Sequence, residues 1–452
     1  MASSAKEVPA HGPESSPISL HPGLRPKRRN RARNTPKNLS RFASKETSEE
    51  TESEGWSLLP VDVQSMILSK LSYKQLFQAK VISKCFNAHI NSDGFLRYRV
   101  AVHPQEGMLT ALHFSVVEHG GKYALWQCSG YDLTSNSWKK LPPFQLPLCL
   151  YPKLYKNHLI CGAGGMFCIS ISTFSPGRDK IIVFNPLTGK RKELPRLNHP
   201  RNPVLMHMVM DPAGGFYKII VAGSTMLGQE HLSKFTEVFD SRTSTWTTAQ
   251  VLPGPQCCLN EYQVGVYRNG ILYCIAFLEE KDAGRGVLAF SVDEGKWLPH
   301  LACPLPNATL VLNVVQLVDI NGEVVLFSEV EHSSQTFNQE RRIDILEEVI
   351  SNTSSGQRRG KWRNVMLDRS KSWKSAHIYL CVPFEKEKFC IFNSSENTGV
   401  VCDLYSGKHI QSLCPPTWRD SVGMTCYSKN PLTFTFQASF GGNPFNQAST
   451  SN

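Results

Sequence analysis

The chain has 452 residues, 41% hydrophobic and 19% charged, the balance of a globular protein long enough for two or three domains. No run of about eighteen apolar residues occurs, so no transmembrane helix is expected, and the N-terminal stretch lacks the apolar segment of a secretory signal. Fourteen cysteines are scattered without any C-x-x-C pair, so free thiols in a reducing compartment are expected rather than disulfides or structural zinc.

The formal net charge of +11 is concentrated in one place. Nine Lys or Arg residues and no acid lie between Arg25 and Lys45, so the rest of the chain is nearly neutral. Residues 1–54 read as a disordered tail, basic and then acidic, rich in Ser and Pro. Lys27, Arg28, Arg29, Arg31 and Arg33 have the density of a nuclear-import signal; a plain solvated tail is the other reading. No aromatic residue interleaves them, so nucleic acid has no stacking platform there. The expected location is nucleus and/or cytoplasm, with no membrane partner.

Residues 55–100 have helical periodicity. Pro60 suits the first turn of a helix, where its missing N–H is not needed. Val63, Met66, Ile67 and Leu71 recur at helical spacing. Ser72 and Gln75 form an S-x-x-Q capping box that starts a second helix through Leu76, Ala79 and Lys80. A third short turn holds Phe86 and Ile90, and Ser92-Asp93 restarts the chain before Phe95 and Tyr98. Three helices this short bury too little apolar surface to be stable alone and should need a partner.

From about 109 onward the pattern becomes all-β: short β-branched and aromatic runs punctuated by Gly, Pro, Asn and Asp. Asn269-Gly270 and Asn321-Gly322 sit between apolar runs and predict hairpins. Helical spacing reappears only from Ile343 to Ile350. A unit repeats through this region. Tyr131-Asp132 leads to Trp138, Phe184-Asn185 to Arg191, Phe239-Asp240 to Trp246, Phe290-Ser291 to Trp297, and Cys402-Asp403 to His409. Trp362 marks a further member split by an insertion at 333–360. The Asp or Asn turns the chain through its own side chain, and Trp138, Trp246, Trp297 and Trp362 are expected to pack between neighbouring units. Six units predict six blades closed into a ring with few exposed strand edges; a β-sandwich is the alternative.

Two resemblances follow from these residues. Leu59-Pro60, Val63, Ile67-Leu68, Leu71, Leu76 and Val81-Ile82-Ser83-Lys84-Cys85-Phe86 resemble the F-box, which attaches substrate receptors to SCF-type ubiquitin ligases. Phe86 stands where Trp is commoner, and Ser72-Tyr73 replaces a frequent Pro. The repeats resemble the degenerate kelch repeats of plant-type F-box/kelch proteins, although the paired glycines expected in kelch strands are sparse, Gly120-Gly121 and Gly164-Gly165 among them. The expected architecture is an α+β multidomain chain: a small three-helix F-box over 55–100, a linker and propeller start over 101–120, an all-β kelch-like β-propeller of six blades over 121–430, and a C-terminal tail over 431–452.

The F-box resemblance implies that Leu59, Pro60, Val63, Ile67, Leu68, Leu71, Leu76, Val81 and Phe86 build the surface that docks an SKP-family adaptor, or its core. Through that adaptor a cullin and a RING subunit would be partners, and the propeller would hold an unknown protein substrate. No catalytic constellation is evident and no cofactor or metal is expected. Gly162-Ala163-Gly164-Gly165 lacks the Lys-Ser/Thr and helix start of a phosphate loop, and no G-x-S-x-G elbow occurs. His207, His231, His300 and His332 lie in loop-like places, which leaves a propeller metal oxidase or small-molecule receptor as a further reading. Arg341-Arg342 and Arg358-Arg359, in the insertion at 333–360, are candidates for substrate contact; a floppy connector with no role is the equal alternative. A kelch scaffold or cytoskeletal binder, with the helices as a cap, is the alternative outside the ubiquitin pathway.

Overall fold

The computed structural model describes residues 55–445 apart from 121–122, 148–158, 172–179, 212–214, 225–232, 256, 260–261, 279–283, 307–310, 332–338, 351–357, 369–378 and 414–431. The chain divides into two units, residues 1–60 and 61–452. In the first, a helical turn brings the Leu59 N–H to the Trp56 carbonyl at 3.2 Å. The basic stretch with Lys27, Arg28, Arg29, Arg31 and Arg33 lies outside the described residues.

The second unit begins with four helices: α1 (Val61–Ser69), α2 (Tyr73–Ile82), α3 (Lys84–Ile90) and α4 (Asp93–Val102). Pro60 therefore immediately precedes a helix rather than occupying its first turn, and the expected three helices are followed by a fourth. The breaks are set by serines. Ser72 caps α2 in a complete box with Gln75, while Ser83, in extended conformation, ends α2 and caps α3. Ser92 caps α4 through the Phe95 N–H. Each cap satisfies helix-end donors that would otherwise lack partners.

The rest is six antiparallel sheets, not the two facing sheets of a sandwich. Blade 1 is β1 (Gly107–Gly120), β2 (Tyr123–Asp132) and β3 (Ser137–Lys140), with β4 (Phe144–Pro147) also on β2. Blade 2 is β5 (Ile160–Ala163), β6 (Met166–Ile171), β7 (Lys180–Phe184) and β8 (Arg191–Glu193). Blade 3 is β9 (Leu205–Met210), β10 (Tyr217–Ala222), β11 (Thr236–Asp240) and β12 (Thr245–Thr248). Blade 4 is β13 (Val266–Arg268), β14 (Ile271–Phe277), β15 (Arg285–Ser291) and β16 (Lys296–Trp297), with β17 (Cys303–Pro304) beside β15. Blade 5 is β18 (Val311–Ile320), β19 (Glu323–Glu331), β20 (Gln339–Ile350) and β21 (Arg358–Asp368). Blade 6 is β22 (Tyr379–Pro383), β23 (Lys388–Asn393), β24 (Thr398–Asp403) and β25 (His409–Leu413).

The six-bladed propeller is closed by β26 (Phe436–Ala438), which pairs with Gly107–Leu109 and supplies the innermost strand of blade 1. Residues 436–438 therefore belong to the propeller and not to a tail. Sequence could not place them, because their partner strand lies at the other end of the domain.

All six repeat positions fall on outer strands: Trp138 on β3, Arg191 on β8, Trp246 on β12, Trp297 on β16, Trp362 on β21 and His409 on β25. Each tryptophan reaches the preceding blade. The Trp246 indole N–H donates to the Pro195 carbonyl at 2.8 Å, Trp297 to Gln250 at 3.1 Å, and Trp362 to Pro304 at 2.8 Å. Trp138 packs on Phe392 of blade 6, ring centroids 5.9 Å apart. Apolar cores lie between adjacent blades, as in the cluster of Ile220, Leu252, Leu272, Phe290 and Trp297 between blades 3 and 4. Asn269-Gly270 and Asn321-Gly322 have φ of 49° and 82°, and 56° and 79°, the left-handed pairs of tight hairpin turns.

Residues 343–350 are not helical; they form most of β20. Ile343 and Ile345 are buried, and Asp344 is held by Arg342 at 3.2 Å. The described part of the insertion is thus regular blade. Arg341 is fully buried, ion-paired with Glu329 and stacked over Tyr379 at 4.3 Å, so it cannot meet a substrate.

Candidate functional site

The helices separate their apolar residues into two sets. Leu68, Tyr73, Leu76, Ala79, Ile90 and Phe95 are buried and form the frame. Arg99 locks it: its guanidinium binds Glu106 through two bonds, at 2.5 and 2.6 Å, and also the Ser69 carbonyl. Ser65 Oγ lies 3.0 Å from His89 Nε2, joining α1 to α3.

The other set faces water. Val81 is 88% exposed and Ile82 78%, with Val61, Met66 and Ile67 also exposed. Burying a Val or Ile side chain fully is worth about 1.5–3 kcal/mol, so this adjacent pair is a large unused contribution to binding. Of the nine residues singled out from sequence, Leu68 and Leu76 lie in the frame. Leu59, Val63, Leu71 and Phe86 are half-buried, while Pro60, Ile67 and Val81 are exposed. Val61, Met66 and Ile82 share that exposure and were not singled out. Helical spacing did not separate frame from surface, because Ile82 stands three residues after buried Ala79. It ends its helix, where the extended Ser83 carries the chain away.

The helices rest on a defined face of the propeller. In an antiparallel blade, the turns from first to second strand and from third to fourth lie on one side. Asp93 of α4 pairs with Lys190, in the third turn of blade 2, at 3.5 Å. Burial, and then the charges of Asp132 and Glu106, push the Tyr73 hydroxyl up to about 12. Ser439, just after β26, donates through Oγ to the Pro104 carbonyl at 2.9 Å.

The propeller axis holds a cavity of about 540 Å³ lined by all six blades, including His207, Tyr267, Asp319, Lys386 and Phe434. His207 lies in β9 rather than a loop, with Nδ1 2.7 Å from the Val264 carbonyl. His300 is in a 3-10 turn, Pro299–Leu301; His231 and His332 lie outside the described residues. No group of three His, Cys, Asp or Glu among the described residues is placed to hold a metal. The cysteines among them are free, and burial pushes the thiols of Cys128, Cys168, Cys274, Cys381 and Cys390 upward, away from the reactive thiolate. Gly164 and Gly165 form the β5–β6 turn, pressed against Met210 and Ser439.

Burial also pushes His207 down to about 4, against the pull of its bond to Val264. The unfolded chain then binds the extra proton between about pH 6.5 and 4, so stability falls with acidification across that window by at most ~1.4 kcal/mol per pH unit. Denaturant titrations from pH 7 to 4 should show this slope, and His207→Gln should remove its share.

No helix among the described residues is long and apolar enough to cross a membrane. Residues 56–98 match the F-box domain, and residues 147–415 match the F-box associated beta propeller domain. The chain is 26% identical over 246 residues to the F-box protein At2g21930 of Arabidopsis thaliana, covering 53% of this chain and 59% of that protein. It is also 26% identical over 250 residues to the F-box/kelch-repeat protein At5g43190 of the same plant, covering 54% of each. These matches therefore span little more than half the length of either relative. With a helical F-box followed by a six-bladed ring, and a family match across most of that ring, the chain belongs to the F-box proteins that carry an F-box associated β-propeller.

Proposed function

We propose that this chain is the substrate-recognition subunit of an SCF-type ubiquitin ligase. Its helices dock an SKP-family adaptor, and its propeller holds the protein to be ubiquitinated. The observation that carries the reading is the apolar pair Val81-Ile82, 88% and 78% exposed on helices whose interior is already complete. Such exposure of adjacent β-branched residues marks a docking surface. The chain makes no bond itself. Tethering two proteins raises the effective concentration of the substrate's lysines beside the charged enzyme, and the chemistry belongs to other subunits.

The same geometry supports a substrate face. The helices occupy the side with the first and third turns, most of them short: 164–165, 269–270, 321–322 and 404–408. The longer connections, 194–204, 223–235 and 249–265, leave from the opposite side. Loops carried on a rigid scaffold are where recognition usually resides, so the substrate is expected at the side away from the adaptor.

Charge placed on the docking surface tests this. Val81→Asp/Ile82→Asp changes two exposed positions, so the fold should stay within about 0.5 kcal/mol of wild type. A pull-down should recover an SKP-family adaptor and a cullin with wild type and neither with the double variant. If wild type recovers neither, the helices are only a cap and the kelch-scaffold reading takes over.

A further inference from the structure

The turn between third and fourth strands is opened in five blades by a side-chain oxygen that accepts backbone N–H bonds. Asp132, Asp240 and Asp403 each accept backbone N–H bonds from residues just ahead, and Ser291 accepts one from Glu294. Blade 2 has Asn185 at this position. Its Oδ1 does the ordinary work, accepting from Leu187 at 2.8 Å and Thr188 at 3.2 Å. Its amide nitrogen does something the three aspartates cannot, donating to the Ser439 carbonyl at 2.9 Å and the Gly442 carbonyl at 2.8 Å. The residue is fully buried. A carboxylate would keep the turn but has no proton to donate.

The segment it holds, 439–445, leaves β26 and crosses from blade 1 to blade 3. Phe440 is buried, and the Tyr217 hydroxyl donates to the Pro444 carbonyl at 2.9 Å. Gly441 lies against Val100 of α4: a Cβ there would stand 3.3 Å from both valine methyls. Ser439 reaches Pro104, and the Glu106 N–H donates to the Ala438 carbonyl at 2.8 Å. The segment therefore touches three blades and the last docking helix together.

We propose that Asn185 is a positioning residue: through its two amide N–H bonds it holds residues 439–442 as a strap that fixes α4, and with it the docking helices, in one orientation on the propeller. The significance for substrate presentation rests on the adaptor reading; the geometry itself does not.

The test is Asn185→Asp in the full chain. Oδ1 still serves the turn, while the second oxygen faces two carbonyl oxygens. Amide hydrogen exchange at 441–445 and in α4 should accelerate about 10- to 100-fold, the effect of losing two hydrogen bonds, with exchange in β6 and β7 unchanged. Single-molecule energy transfer between dyes on unnatural amino acids at Lys84 and Lys296 should change from one narrow population to a broad one. Acidification that protonates the introduced carboxyl should restore one donor and narrow it again. Wild-type exchange and a narrow distribution in the variant would overturn the proposal, as would a lowered melting temperature with the distribution unmoved. Should the variant not fold, Gly442→Ala displaces the strap while leaving Asn185 in place, since a Cβ there would lie 2.5 Å from the Gly164 carbonyl oxygen; the same two readouts then decide. No adaptor is present in these measurements, so their failure leaves the adaptor reading untouched.

Discussion

A chain ending at Thr435 is expected to lose the propeller's cooperative unfolding transition and to self-associate. Residues 436–438 are few, but they form the closing strand of the ring. Phe436 and Ala438 are each 1% exposed, and the Phe436 ring stacks on Phe167 of blade 2 with centroids 3.8 Å apart. Phe167 in turn meets Phe114 edge-on at 5.2 Å, so one aromatic column joins β26, blade 2 and β1. Removing β26 uncovers that column and frees the hydrogen-bonding edge of β1 at Gly107–Leu109. An open strand edge beside exposed aromatics is a template for pairing between chains. Phe436→Ala keeps the backbone and should cost about 3–5 kcal/mol, the range for emptying a buried aromatic site. Denaturant unfolding followed by near-UV circular dichroism reads the point variant, and light scattering reads the truncation. A truncated chain that is monomeric with a wild-type transition would mean that the ring closes without β26.

Arg201→Ala should be comparably damaging for an electrostatic reason. Arg201 is 2% exposed and Glu237 fully buried, with Nη1 and Oε1 3.3 Å apart. The guanidinium also donates to the carbonyls of Gly223, His199 and Phe235, at 3.1, 2.9 and 3.2 Å. Burial lowers the Arg201 pKa, and Glu237 opposes that shift. Glu237 keeps one other contact, the His199 N–H at 2.7 Å, and no hydrogen bond among the described residues reaches its Oε2. Without Arg201 a carboxylate is left deep between strands, a loss of about 3–5 kcal/mol when one partner of a buried pair is removed. Arg201→Met/Glu237→Gln should recover part of the loss. Denaturant midpoints of the two variants measure both effects, and a double variant no more stable than Arg201→Ala would contradict the argument.

Features governed by local chemistry were legible in the sequence. The Ser72/Gln75 box, the Asn-Gly turns and the Asp-to-Trp repeat each act within a few residues, and each appears where its spacing put it. Trp362 was placed on an outer strand even across its insertion, because the indole has the same task in each blade. What depends on distant partners was not legible. Ile343, Leu346 and Ile350 imitate helical spacing, yet pairing with β19 and β21 makes the segment a strand. Arg341 looked like a surface cation until the fold set Glu329 and Tyr379 around it. Phe436 carried no signal of its own. For the N-terminal helices, motif matching found the right forty-odd residues but could not separate Leu76 from Ile82, since one is covered by neighbouring helices and the other is exposed. Asn185 was visible as a member of the repeat; its difference from Asp132 and Asp240 acquires meaning only once Ser439 and Gly442 lie against it.

The most direct test of the account is calorimetric titration of the purified full chain with a purified SKP-family adaptor, checked by size-exclusion chromatography. A one-to-one complex, with a negative heat-capacity change from apolar burial that disappears in Val81→Asp/Ile82→Asp, is the predicted result. A folded wild-type chain that gives neither heat nor a co-eluting complex would contradict it.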